Sequence, residues 1–377
     1  MESDFSWLLW GLPIAFVLGW VASRLDLRQL RIENRQAPKA YFRGLNFLLN
    51  EQQDQAIDAF IEAVRNDPDT SELHFALGNL FRRRGEYERA VRVHEHLLSR
   101  GDLSRPERHR AQHALALDFL KAGLLDRAED ALRKLEGTSF EPQALLALLS
   151  IYERTRDWPR AAEIARKLDT RGEGNFSTRL AHYLCEQAAQ EPNEEAERLV
   201  REALRTAPAA ARPALELAVL QRRAGDDRAA FETLAELAER LPAAAGLVAR
   251  PLAESALACG EQVRATRILC ERQQATPSLD VLEGLVALEP DPESARNLYA
   301  RHLEREPSLV AATRWISGER LEHEDLHPLL QRALDQAVKP LSRYRCAACG
   351  FEANKHFWQC PGCQAWDSYP ARRVEEL

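Results

Sequence analysis

The sequence predicts an all-α protein: a superhelical array of helix hairpins, with a transmembrane helix at its amino end and a small four-cysteine domain at its carboxyl end. Three observations predict it. Leu, Ala, Arg and Glu dominate and β-branched residues are sparse, a mixture that loses little entropy in a helix. A buried-type alanine recurs with a period near 34 residues between positions 40 and 342. The pattern C-x2-C-x10-C-x2-C closes the chain. At 377 residues the chain exceeds one ordinary core, as an extended array requires. A net charge of -7 is wrong for a nucleic-acid binder, which needs a surplus of Lys and Arg.

Residues 1–23 are read as the anchor. Positions 5–23 form 19 residues without a charge, spanning roughly 28 Å as a helix, close to the hydrocarbon thickness of a bilayer. Trp7, Trp10 and Trp20 lie towards its ends, where amphipathic rings prefer the interface. A cleaved signal peptide would start basic, but this chain starts with Glu2 and Asp4. Residues 24–39 are a basic juxtamembrane linker with Arg24, Arg28, Arg31, Arg35 and Lys39. By the positive-inside rule they place the rest of the chain in the cytoplasm. Three scattered cysteines, Cys185, Cys259 and Cys270, read as reduced thiols there.

Residues 40–342 hold about seven to nine repeats, marked by Ala56, Ala90, Ala128, Ala161, Ala196, Ala230, Ala265 and Ala295. Five residues before the marker there is often a glycine, as at Gly85. Twelve after it there is often a proline: Pro68, Pro208, Pro242, Pro277 and Pro307. That is a hairpin with Gly at the turn, Ala where two helices cross closely, and Pro ending the second helix. The pattern resembles the tetratricopeptide repeat, with Arg156 standing where Gly is usual. Such an array lines an inner face with its first helices, and that face holds an extended peptide or a partner's helix. By repeat position, Tyr41, Phe75, Asn79, Arg82, Arg83, His113, Arg222, Arg223 and Arg250 should point into it. The competing reading is that helical arginines form a solvated face.

Residues 343–370 form the metal domain. Cys346, Cys349, Cys360 and Cys363 are spaced so that both sulfurs of each pair turn towards one ion, with Gly350 and Gly362 supplying the turn conformations. Four thiolates leave no open coordination position, so the role is structural, with iron or zinc both acceptable. Arg343, Arg345 and Lys355 should offset their charge. Tyr344, Phe351, Phe357, Trp358 and Trp366 should pack around the ion or dock the domain on the repeats. Residues 371–377 are read as a tail.

His323, Glu324 and His327 match H-E-x-x-H, the helical zinc-protease signature. Pro328 follows at once and biases His327 away from helical geometry, so the match is read as a helix start, not a catalytic site. His94, His96, His109 and His113 are read as satisfied or solvated helical histidines.

The order of parts, and especially R-C-A-A-C-G-F and W-Q-C-P-G-C-Q-A-W, resembles the lipopolysaccharide assembly protein B family over essentially the whole chain. The resemblance implies a non-catalytic inner-membrane adaptor facing the cytoplasm. Its partners would be the membrane-bound AAA+ protease and the deacetylase that commits to lipid A, whose degradation it promotes. Other lipopolysaccharide synthesis and transport proteins, and lipopolysaccharide itself, are further implied partners. A general envelope-assembly or secretion scaffold without a role in proteolysis shares every periodic feature.

Overall fold

The computed structural model describes residues 42–67, 70–172, 174–319 and 326–377. The apolar stretch at 5–23, the basic linker, Tyr41, Pro68, His323 and Glu324 lie outside them. No helix among the described residues is long and apolar enough to cross a membrane.

The chain divides into two compact units, up to Thr155 and from Arg156. The first contains α1 (42–49), α2 (Gln53–Asn66), α3 (Ser71–Arg84), α4 (Tyr87–Ser99), α5 (Arg105–Lys121), α6 (Leu125–Arg133) and α7 (Glu141–Thr155). Its core joins Phe60, Leu73, Leu77, Phe81 and Ala90. The second unit begins with α8 (Trp158–Thr170). It continues through five hairpins: α9 (Ser177–Ala188) with α10 (Asn193–Thr206), α11 (Ala211–Arg223) with α12 (Asp227–Arg240), and α13 (Ala245–Cys259) with α14 (Gln262–Ala275), then α15 (Leu279–Leu288) with α16 (Pro292–Leu303) and α17 (Leu309–Ser317) with α18 (His327–Val338). A continuous core runs from Ala214 through Phe231, Val248, Leu252, Leu269 and Val281 to Leu288. The short strands β1 (Tyr344–Arg345) and β2 (Glu352–Ala353) pair antiparallel, Tyr344 opposite Ala353.

Each marker alanine is the fourth residue of an even-numbered helix, and all but the half-buried Ala295 are at most 1% exposed. Close packing explains the choice, because a larger side chain there must displace the facing helix. The small residue twelve positions earlier answers the same demand. A Cβ on Gly78 would lie 2.5 Å from the His94 ring, and one on Gly44 would lie 2.8 Å from Phe60.

At six of the eight turns five residues before a marker alanine the backbone is left-handed. Gly85, Gly123, Gly225 and Gly260 all adopt positive φ, 77–84°. The next N–H reaches back five residues in each, as from Glu86 to the Phe81 carbonyl at 2.9 Å, the Schellman closure of a helix end. Glu51 at φ 59° and Arg156 at φ 58° hold the same left-handed position without being glycine, at a cost of roughly 1–2 kcal/mol each. Arg156 thus keeps the left-handed turn conformation although the glycine is gone.

Ion pairs stitch neighbouring repeats. Arg82 pairs with Asp118 at 2.9 Å, Arg166 with Glu202 at 2.8 Å, and Arg222 with Glu254 at 2.8 Å. Partners are 36, 36 and 32 residues apart, about one period.

Candidate metal centre and inner face

The two cysteine pairs fold as matching knuckles. Cys346 N–H bonds the Phe351 carbonyl and Gly350 N–H the Cys346 carbonyl; Cys360 N–H bonds the Ala365 carbonyl and Gln364 N–H the Cys360 carbonyl, all at 2.8–2.9 Å. In both, the residue after the second cysteine is left-handed: Gly350 at φ 77° and Gln364 at φ 62°. The expectation for Gly362 is corrected here. It is not in the positive-φ region, and the second knuckle places that strain on Gln364. Gly362 instead offers its N–H to the Cys360 sulfur, together with Cys363 N–H.

Cys346 and Cys363 sulfurs are 3.8 Å apart, Cys349 and Cys360 sulfurs 3.7 Å, and all four lie within 4.8 Å of one another. A tetrahedron with metal–sulfur bonds of about 2.3 Å has edges of about 3.8 Å, so the donors fit one four-coordinate ion. Cys346 and Cys360 are buried while Cys349 and Cys363 face solvent. Burial pushes the Cys346 thiol up, but the Ser368 hydroxyl 3.2 Å away and the N–H groups of Cys349 and Ala348 outweigh it and bring it down to about 6. Backbone donors thus stabilise the thiolate form. Arg343 and Arg345, expected to offset the sulfur charge, are engaged with Glu352 at 3.7 and 2.7 Å.

The aromatic residues divide as their number suggested. Tyr344 and Phe357 pack with Tyr369 in the domain's own core, and Phe351 is largely exposed. Trp366 stacks on His182 of α9 at 4.8 Å between ring centres and meets Trp158 and Tyr183 edge-on. Trp358 lies 6.0 Å from the same His182. His182, 1% exposed, also pairs with Asp367 at 2.8 Å.

The final residues 371–377 are bound to the repeats. Tyr344 donates its hydroxyl proton to Asp280 of α15 at 2.9 Å, and Arg373 lies over the Tyr344 ring and forks onto the same carboxylate. Glu376 accepts from Leu279 N–H at the start of α15 at 2.7 Å, and Glu375 accepts from Leu309 and Val310 N–H and the Ser308 hydroxyl at the start of α17. The two carboxylates satisfy the orphan donors of two helix N-termini. The four-cysteine domain therefore lies against α9 and α15, and its tail against α15, α17 and Gly246 of α13.

The expected groove residues that the structure describes differ in their surroundings. Phe75 is 2% exposed and packs on Leu97, Leu103 and Ala111; a large apolar ring at a hairpin crossing is core. Arg82 bonds Asp118, the Ala114 carbonyl and Asn79. Asp118 in turn holds the fully buried His94, so this set ties α3, α4 and α5 together. Arg222 and Arg250 both reach Glu254, at 2.8 and 3.0 Å. His113 stacks on Phe140 at 5.3 Å, and burial, with help from Arg82, holds it below its ordinary 6.5. Arg83 and Arg223 are exposed.

His327 opens α18, with Pro328 in the first turn, and faces the Ile316 carbonyl at 3.3 Å. The helix start is as expected. His327 itself is helical, contrary to expectation, because at the first helical position a following proline removes no intrahelical bond.

The matches in sequence missed His182, Asp280, Glu375, Glu376 and the His94–Asp118 pair. Nothing in the spacing of His182 or Asp280 sets them apart from other helical polar residues.

Comparison with known proteins agrees with this architecture. A rubredoxin metal binding domain model matches residues 344–369, and a tetratricopeptide repeat model matches 43–93 and 113–176. Lipopolysaccharide assembly protein B of Escherichia coli is 30% identical over 97% of this chain and 98% of its own length. The protein of that name from Haemophilus influenzae is 30% identical over 95% of this chain and 96% of its own. A tetratricopeptide repeat protein from Parabacteroides merdae aligns with 67% of this chain and 99% of its own at 16% identity, TM-score 0.36.

Proposed function

The chain belongs to the lipopolysaccharide assembly protein B family, and from that premise we propose that it is a non-catalytic adaptor at the bacterial inner membrane that restrains lipid A synthesis. In this reading it promotes degradation of the committing deacetylase by a membrane-bound AAA+ protease and gathers other lipopolysaccharide-synthesis proteins. The apolar stretch at 5–23 would anchor the repeats in the plane where the protease works, which raises effective concentration without new contacts. Four thiolates complete a coordination shell and leave no position for a substrate, so the ion's contribution is structural.

One observation carries the reading: the four-cysteine domain is seated along the first helices through His182, Asp280 and the N-termini of α15 and α17. A binding surface would then be composed of both parts, as suits an adaptor that presents one protein to another. The deciding experiment follows the half-life of the deacetylase in cells lacking this chain, resupplied with the intact chain or with Cys346→Ser and Cys360→Ser at equal level. The intact chain should shorten the half-life and the variant should not. No change with either replaces the adaptor by an envelope-assembly scaffold. Loss of a peptidase activity on Glu324→Gln would instead revive the metalloprotease reading.

A further inference from the structure

Between the tail and the repeats of the second unit lies a cavity of about 500 Å³. Its floor is apolar, from Ala245 and Val281, and Pro370 closes one side. Its polar groups are of one kind. Arg272 from the last turn of α14 and Arg372 from the tail both line it, with the hydroxyl residues Thr276 and Ser278 between them. No carboxylate is on its wall, and Glu375 and Glu376 line the adjoining space with Thr276 and Arg372.

These donors are unmet. Arg272 Nε is buried without a hydrogen-bond partner, and so is the Ser278 hydroxyl, on a residue only 7% exposed. Ser278 precedes α15 in the N-cap position, yet its hydroxyl does not cap the helix; Glu376 caps it instead. The Ser278 hydroxyl is close enough to the Glu376 carboxylate to favour its ionised form, short of a full hydrogen bond. Elsewhere in this unit Arg373 and the buried Arg212 are met by carboxylates: Arg373 by Asp280 and Glu283, Arg212 by Glu186 and Glu216. A buried donor without an acceptor is costly, and here two of the residues around one space carry such a donor.

We infer that this cavity is a binding site for a phosphate group, held by Arg272, Arg372 and the Ser278 hydroxyl. A phosphate monoester offers three acceptor oxygens and up to two negative charges, which two guanidinium forks and a hydroxyl match. The apolar floor takes the carbon-rich remainder of the ligand. Arg372 is exposed, so the cavity mouth reaches solvent. The site joins the tail to α13, α14 and α15, and an occupant would fasten the four-cysteine domain to the repeats. The inference stands independently of the adaptor reading.

The group can come from a soluble phosphate ester or from a lipid headgroup, and calorimetric titration separates them. The full chain in neutral detergent micelles is titrated with inorganic phosphate, with dioctanoyl phosphatidic acid, and with dioctanoyl phosphatidylcholine, which carries no monoester. Saturable binding of either of the first two, weakened about tenfold or more by Arg272→Gln with Arg372→Gln, supports the site. Binding of phosphatidic acid alone assigns it to a lipid headgroup, and of inorganic phosphate too, to soluble esters. Arg205→Gln, an exposed arginine on α10, should leave binding unchanged. Because neither Arg272 nor Arg372 makes a side-chain bond to be lost, the melting temperature of the double variant should match the parent's. Absence of saturable binding, binding equal in the double variant, or equal binding of phosphatidylcholine overturns the inference.

Discussion

The repeats and the four-cysteine domain are held by different physics within the same unit. In the repeats, stability comes from many small increments: alanines at close crossings, leucines between them, and ion pairs one period apart. The four-cysteine domain buries little beyond Tyr344, Cys346, Cys360 and Tyr369, and its sheet is two residues deep. A segment this small does not fold on apolar burial alone. It depends on its ion and on the surface that receives it. The repeats spread their stability over many contacts, whereas the four-cysteine domain has two single points of failure.

The largest expected effect tests the first of these. Cys346→Ser with Cys360→Ser should remove the ion, whose binding in isolated zinc-finger peptides amounts to about 10–16 kcal/mol. Limited proteolysis should then cut within 343–377 while far-ultraviolet circular dichroism keeps nearly all helical signal. If helicity is lost in parallel, the two regions are one cooperative body and the contrast fails. Next in size, Ala230→Leu places three more carbons at a position with no exposure and should cost about 1–3 kcal/mol in urea unfolding, without altering metal content.

Glu375→Gln tests the second point of failure. It weakens the charged cap on α17 and should lower stability by about 1 kcal/mol, with faster amide exchange at Leu309 and Val310. Equal exchange in variant and parent would show that the tail contact is incidental. An effect of similar size and opposite sign is expected at a turn. Arg156→Gly relieves a left-handed residue at φ 58° and should stabilise by about 1 kcal/mol.

A pH series adds a direction. In the first unit burial holds His74 and His113 below their ordinary 6.5. The unfolded chain therefore binds more protons just below 6.5, and stability, complete above that value, should fall as pH drops through it. Urea midpoints that stay flat from pH 7.5 to 5.5 would contradict this assignment.

Much of the site was legible in the sequence. Cys346, Cys349, Cys360 and Cys363 were identifiable because metal ligation fixes spacing along the chain. The repeat was identifiable for the same kind of reason: the fourth residue of every second helix meets the same steric demand. The groove was not legible, because periodicity says which side of a helix a residue is on but not what faces it. Arg82, Arg222 and Arg250 were placed on the inner side, and only their neighbours, Asp118 and Glu254, turn them from free charges into ion pairs. Phe75 is core for the same reason.

By itself, then, the sequence determined what is local or periodic: the helices, the 34-residue period, the marker alanines and the four metal donors, all of them visible as spacing along the chain. Tertiary structure decided what depends on residues far apart in sequence. His182 and Asp367 are separated by 185 positions, Asp280 and Arg373 by 93, and Leu279 and Glu376 by 97. No short-range rule joins such pairs. The last two meet because the final seven residues find unmet helix N–H groups and a buried carboxylate on first helices of the unit, and the first because Trp366 and Asp367 seat on α9.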